Sequence, residues 1–339
     1  MQNLSVQNFN ISLRLYQVDK WRCPMNKKII SILITLLVSI VIFLGCLDGR
    51  SKTREEAIPD DAVKMTPETD LYPPQLHSDE YYPPVPVPGP LNTAGAEDSP
   101  FISCCDDETL YFFFTPDVDV PVEKQLLDGV TGIYVSKKLD EQWTMVERIV
   151  LQDPGALALD GCTFVQDNVM WFCSARQGYS GIHWFTAEYN TGKWTNWENA
   201  DFESDLEVGE LHFTSNFTEL YYHSSRAGGN GGTDIWYSEK RNGTWQEPVN
   251  IERVNSEENE GYPFITSDGT ELWFTKTYRG SPAVFRSMKM NEEWLEPELI
   301  LSQFAGEPTL DAEGNIYFVH HFYKDGKMLE ADIYVAYRK

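Results

Sequence analysis

One aromatic strand motif recurs five times along this chain: Leu110-Tyr111-Phe112, Met170-Trp171-Phe172, Leu220-Tyr221-Tyr222, Leu272-Trp273-Phe274 and Ile316-Tyr317-Phe318, at spacings of 60, 50, 52 and 44 residues. A unit of this size cannot bury both of its apolar faces alone, so copies must stack on one another. Each copy continues into a second β-rich stretch, at Ile133-Tyr134, Ile182-His183, Ile235-Trp236, Val284-Phe285 and Ile333-Tyr334. Four copies then add a Trp-centred strand, with Trp143, Trp194, Trp245 and Trp294. Four antiparallel strands per copy, arranged radially, make an all-β, five-bladed β-propeller. The last copy ends without its fourth strand. Residues 82–101 align without a gap on 245–264, matching Tyr82 to Trp245, Asn92 to Asn255, Glu97 to Glu260 and Pro100-Phe101 to Pro263-Phe264. An N-terminal strand is therefore expected to complete the last blade and close the ring, which hides its free edges.

Ahead of this region the chain changes character. Asn26-Lys27-Lys28, an uncharged run from Ile29 to Gly45, and Phe43-Leu44-Gly45-Cys46 resemble a lipoprotein signal peptide with Cys46 as the lipidated residue. A signal peptide or N-terminal anchor is assigned to residues 25–45, and translation is expected to start at Met25, because residues 1–24 are polar. Residues 46–81, rich in Pro, Asp and Glu, read as a solvated tether, and residues 82–339 as the propeller. The chain is expected to be exported, at the cell surface or in the periplasm, membrane-anchored and monomeric. Its formal net charge of −25 becomes about −29 once the five basic residues and one acid of residues 1–45 are removed. Such a surface repels phosphate backbones, so no nucleic-acid partner is expected. In an oxidising compartment Cys162 and Cys173, on either side of a turn, are candidates for a disulfide. Cys104 and Cys105 read as two buried thiols.

The stretches SSRAGGNGGTDIWYSEKRNGTWQEPVNI and NSEENEGYPFITSDGTELWF resemble the WD-like repeat in the propeller of the periplasmic Tol-system B protein. The resemblance covers roughly residues 82–339 and is sharpest in copies three and four. Copies one and two depart from it, with an insertion at residues 117–132 and SARQGYSGIHWF in place of the Gly-Gly loop. The family is mostly a recognition scaffold, which implies a binding role and leaves the ligand open.

Acidic residues stand at the entrance to each expected innermost strand: Glu97-Asp98, Asp160, Glu210, Glu260 and Glu307. Innermost strands line the axial channel, so these carboxylates are expected to converge on one mouth. There they would accept backbone N–H groups, hold a cation or do acid–base chemistry. Asp98, Asp160, Glu210 and Glu307 are the candidate metal ligands, and an oxygen-only set suits Ca²⁺; no cofactor is required. Asp98, Asp160 and Glu210 are also similar in kind and order to the Asp, Asp and Glu of five-bladed arabinanase- and β-fructosidase-like glycoside hydrolases. By that resemblance Asp98 is general base, Asp160 tunes pKa and orientation, and Glu210 is general acid. Glu97, Glu260, Glu307, His212, Trp171 and Trp184 are candidate binding residues. Alternation along a strand puts His320 and His321 on opposite faces. The leading expectation is a membrane-anchored propeller that binds a protein or glycan. A glycoside hydrolase and a structural envelope protein with a Ca²⁺-holding acidic ring are the alternatives.

Overall fold

The computed structural model describes residues 52–103, 108–202 and 209–339. The signal segment, Cys46, Cys104 and Cys105 lie outside the described residues, and no described helix is long and apolar enough to cross a membrane. A helical turn, α1 (Arg54–Ala57), and two short strands, β1 (Gln75–Leu76) and β2 (Val85–Pro86), come first. Register-equivalent antiparallel units follow. The first is β3 (Ala96–Ser103), β4 (Thr109–Thr115), β5 (Gly132–Leu139), β6 (Gln142–Trp143) and β7 (Glu147–Arg148), with α2 (Val122–Asp128) between β4 and β5. The second is β8 (Ala158–Gln166), β9 (Val169–Arg176), β10 (His183–Asn190) and β11 (Lys193–Asn199). The third is β12 (Leu211–Phe213), β13 (Glu219–Ser224), β14 (Asp234–Arg241), β15 (Thr244–Trp245) and β16 (Val249–Asn250). The fourth is β17 (Glu260–Ile265), β18 (Glu271–Tyr278), β19 (Ser281–Met290), β20 (Glu293–Trp294) and β21 (Glu298–Ser302). The fifth is β22 (Ala305–Leu310), β23 (Ile316–Lys324) and β24 (Lys327–Ala336), and β2 pairs with β24 as its outer strand.

The aromatic motif sets the register. Phe112, Phe172, Tyr222, Phe274 and Phe318 stand opposite Tyr134, Phe185, Trp236, Phe285 and Tyr334. In unit two this corrects the expected anchor Ile182-His183 by two residues, because Trp184-Phe185 enters the core while Ile182 stays in the preceding loop, 68% exposed. The units then pack in a fixed order through edge-on aromatic contacts, which favour T-shaped geometry. Trp194 of unit two meets Tyr111 of unit one, Trp294 of unit four meets Tyr221 of unit three, and Trp143 of unit one meets Tyr317 of unit five. Tyr81, on the strand that completes unit five, meets Trp273 of unit four.

Asn92 bonds both backbone groups of Ile333, as Asn255 does those of Ile235, so that part of the repeat alignment holds. It slips at Tyr82. Tyr81 bridges Arg338 and is buried, whereas Tyr82 is exposed, so one residue is gained between Tyr81 and Asn92.

The tether also departs from expectation, because residues 53–81 are strapped onto the units. Arg54 is buried with its guanidinium on the Leu91 and Pro90 carbonyls and the Glu97 carboxylate. Lys64 meets Glu330 and Asp332, Asp70 meets His320, and β1 adds a strand to β21. Polar composition here reflects side chains that pair with buried charges of the units.

Candidate functional site

Each inner strand except β12 carries a β-bulge at the same place: the pairing register shifts after Asp98, Gly161, Gly261 and Gly306. The bulged residues Ser99, Cys162, Tyr262 and Glu307 take positive φ, between 46° and 56°. A bulge re-aims one side chain out of the pleat. Glu210, which follows Gly209, occupies the same position in unit three. The residue before each is glycine in four units, where a Cβ would come within 3.3 Å of a neighbouring side chain. Asp98 is the exception and adds a carboxylate to the cluster.

These side chains meet. Ser99 Oγ lies 2.7 Å from Glu210 and 3.0 Å from Glu307, and the Ser99 N–H donates to Glu307 and to Asp98. Burial, followed by the charges of Asp98 and Glu210, pushes the Glu307 carboxyl well above its ordinary range, and Glu307 is hydrogen-bonded to Asp98. Burial pushes Glu210 up to about 7. Tyr262 is raised by Glu307 first and then by burial. Its bulge is held by its own N–H donating to Nδ1 of His223, which burial lowers to about 4 and so keeps neutral. His321 adds an imidazole: the ligand atoms of Asp98, Glu307 and His321 lie within 4.8 Å of one another. His320 turns the other way, to Asp70, as strand alternation requires.

Beside this polar layer lies an aromatic one. His212 packs against Phe101, Phe164 and Phe264 at ring separations of 5.9, 4.7 and 4.5 Å. A cavity of only about 30 Å³ lies between the two layers.

The six carboxylates expected at one mouth therefore divide. Asp98, Glu210 and Glu307 converge. Glu97, Asp160 and Glu260 precede the bulge by two residues and belong to the unit interiors. Glu97 accepts from Thr93 and Arg54, Glu260 from Ser256 with Lys276 beside it, and Asp160 from Ser174 and Arg176. Asp160 is bonded to Ser174 and Arg176, and the ligand atoms nearest Asp98 are those of Glu307 and His321. His212 is neutral among the aromatic rings, with burial lowering it to about 3. Trp184 is core, and Trp171 stacks on Phe202 at 5.3 Å. Cys162 and Cys173 are free thiols hydrogen-bonded to each other, not a disulfide, and that bond with burial raises the Cys162 thiol. Ser99 and Tyr262 escaped the sequence, and His321 was placed there only on a strand face opposite His320. The signal for Ser99 and Tyr262 is the repeat column that also holds Cys162, Glu210 and Glu307, which mixes residue types and so does not look like a site.

No family model and no curated protein matches the sequence. Among solved structures, an endo-arabinase from Bacteroides thetaiotaomicron is 14% identical over 71% of this chain and 94% of its own, with a TM-score of 0.48. The catalytic domain of a Coprinopsis cinerea GH62 α-L-arabinofuranosidase is 8% identical over 75% and 95%, with a TM-score of 0.47. TolB from Acinetobacter baumannii is 12% identical over 74% and 56%, with a TM-score of 0.40. These are the two groups that the repeat and the acidic residues resemble in sequence.

Proposed function

We propose that the units are the five blades of a closed propeller, exported and anchored through the segment around Cys46, and that it binds a protein partner at the end carrying the acidic cluster. The aromatic contacts, which run round to Trp143 on Tyr317, support closure.

The observation that carries the binding reading is an apolar rim. Val122, Leu127, Leu157, Tyr179 and Ile182 are all exposed, between 42% and 68%. They sit on the β4–β5, β9–β10 and pre-β8 connections, where copies one and two depart from the repeat. Ala96 pairs Thr115 and Ala158 pairs Arg176, so these connections leave the same strand ends as Asp98 and Ser99. Exposed apolar side chains on these connections, at the strand ends that carry Asp98, suit a partner segment with apolar anchors and a basic residue.

Sugar hydrolysis is the weaker reading. Ligand pockets run to about 300–1,000 Å³, and the cavity beside Glu210 is an order of magnitude smaller. A divalent cation at Asp98, Glu307 and His321 is a second reading, carried by their proximity; the imidazole shifts the preference from Ca²⁺ toward Mn²⁺ or Zn²⁺. Cation addition should raise the melting temperature of the wild type and leave Asp98→Asn unmoved.

The test is capture from the protein's own envelope extract, followed by affinity measurement with the purified captured protein. Leu127→Glu with Ile182→Glu should weaken that complex at least tenfold at unchanged melting temperature. Glycan turnover by the wild type that disappears in Glu210→Gln would overturn the binding reading.

A further inference from the structure

Unit two differs from its neighbours at one register position. Opposite the outer-strand tryptophans stand Lys138, Lys240 and Lys289 in units one, three and four, but Tyr189 faces Trp194. The lysines fill this place with charge: Lys138 pairs Glu108, and Lys289 lies 3.7 Å from Glu219. Tyr189 instead makes an aromatic pair with Trp194, rings 5.1 Å apart.

That pair lines a groove of about 640 Å³ between units one and two, at the strand ends away from the acidic cluster. The corresponding groove between units three and four measures about 320 Å³ and holds Lys289 and Glu219. Tyr111 also lines the larger groove. It is only 8% exposed, yet its hydroxyl has no hydrogen-bond partner among the described residues and is not sealed from solvent. A phenol this buried normally finds a partner. The Lys137, Arg148 and Lys193 side chains lie along the same groove, outnumbering its two acids, Glu147 and Asp167, in a chain of net charge −25.

We propose that this groove binds a carboxylate-bearing saccharide. The aliphatic face of a sugar ring stacks on Tyr189 and Trp194. A ring hydroxyl takes up the Tyr111 phenol, and Lys137 and Lys193 neutralise the uronate. The size falls within the range of small-ligand pockets, and apolar ring faces edged by free donors match a sugar better than a peptide. This site is independent of the apolar rim and of any partner there.

The experiment titrates the full-length protein with tetragalacturonate and with a neutral glucose tetramer, by calorimetry and by Trp emission. Saturable binding of the uronate, at least tenfold tighter than the neutral sugar, is expected. Tyr189→Lys, which restores the residue of the other units, should abolish saturation. Tyr111→Phe, isosteric and fold-preserving, should weaken binding about two- to tenfold, the worth of one hydrogen bond. Lys137→Gln with Lys193→Gln should bring the two sugars to equal affinity. No saturable binding by the wild type, equal affinity for both sugars, or unchanged binding by a Tyr189→Lys protein of wild-type melting temperature would each overturn the proposal.

Discussion

Ser99 Oγ lies 2.7 Å from Glu210, a residue two units away, and the same oxygen is 3.0 Å from Glu307. One hydroxyl proton serves one carboxylate at a time. Glu307 also accepts the Ser99 N–H, and burial with the neighbouring acids Asp98 and Glu210 raises its carboxyl well above the ordinary range. Ser99 thus ties together residues of units one, three and five.

Removing that hydroxyl should cost stability. Ser99→Ala removes the hydroxyl donor of Glu210 and leaves it only the Cys162 thiol, and a hydrogen bond to a charged group is worth about 1.5–3 kcal/mol. Urea unfolding of the purified protein should show a lower midpoint at unchanged slope. Ser99→Gly loses the same bond but relieves the positive φ of 46°, so it should lie between the two.

Arg54 is the anchor of the N-terminal strap, inserted between Glu97 and the rings of Phe112, Phe114 and Tyr134. Burial pushes Glu97 up to about 7 even though Arg54 opposes it. Arg54→Ala should destabilise by about 3–5 kcal/mol, the cost of breaking a buried pair from one side. Adding Glu97→Gln should return part of the loss, measured as a double-mutant cycle on the same urea curves.

His212 sets a pH dependence. Burial lowers it from 6.5 to about 3 in the fold, so protons favour the unfolded chain. Its contribution is fully present above pH 6.5 and is lost as pH falls from there toward 3, at up to about 1.4 kcal/mol per pH unit. His212→Phe places in unit three the residue found at Phe101, Phe164 and Phe264. Its stability should fall less steeply than wild type below pH 6.5, and equal slopes would refute this account.

Cys162 should behave as a protonated, slowly reacting thiol. A thiol held above its ordinary pKa supplies little thiolate at neutral pH. Peptide mass spectrometry after brief alkylation should find Cys162 unmodified in the native protein and alkylated in urea. A disulfide-linked peptide pair in unreduced protein would contradict the free-thiol arrangement.

What was legible in the sequence is what repeats. The aromatic anchors Phe112, Tyr222, Phe274 and Phe318 keep their registers because each must fill the same space between stacked sheets. The pairing of Asn92 and Glu97 with Asn255 and Glu260 survives because a backbone-bonding Asn and a buried carboxylate solve the same local problem in both places. Even the strand completing unit five could be read from that match.

The sequence by itself thus determined an all-β chain of stacked antiparallel units with an N-terminal outer strand, since hydrophobic periodicity is a local property and burial of both sheet faces demands the stacking. Only the tertiary structure decided which acids meet. Glu97, Asp160 and Glu260 lie just two residues from Ser99, Cys162 and Tyr262, but the bulge turns one set toward the acidic cluster and leaves the other in the unit interiors, and a positive φ leaves no trace in residue periodicity. The fate of residues 53–81 was likewise decided by long-range pairing, because Arg54, Lys64 and Asp70 find their partners 43 to 268 residues away, and composition carries no information about charges waiting at that distance.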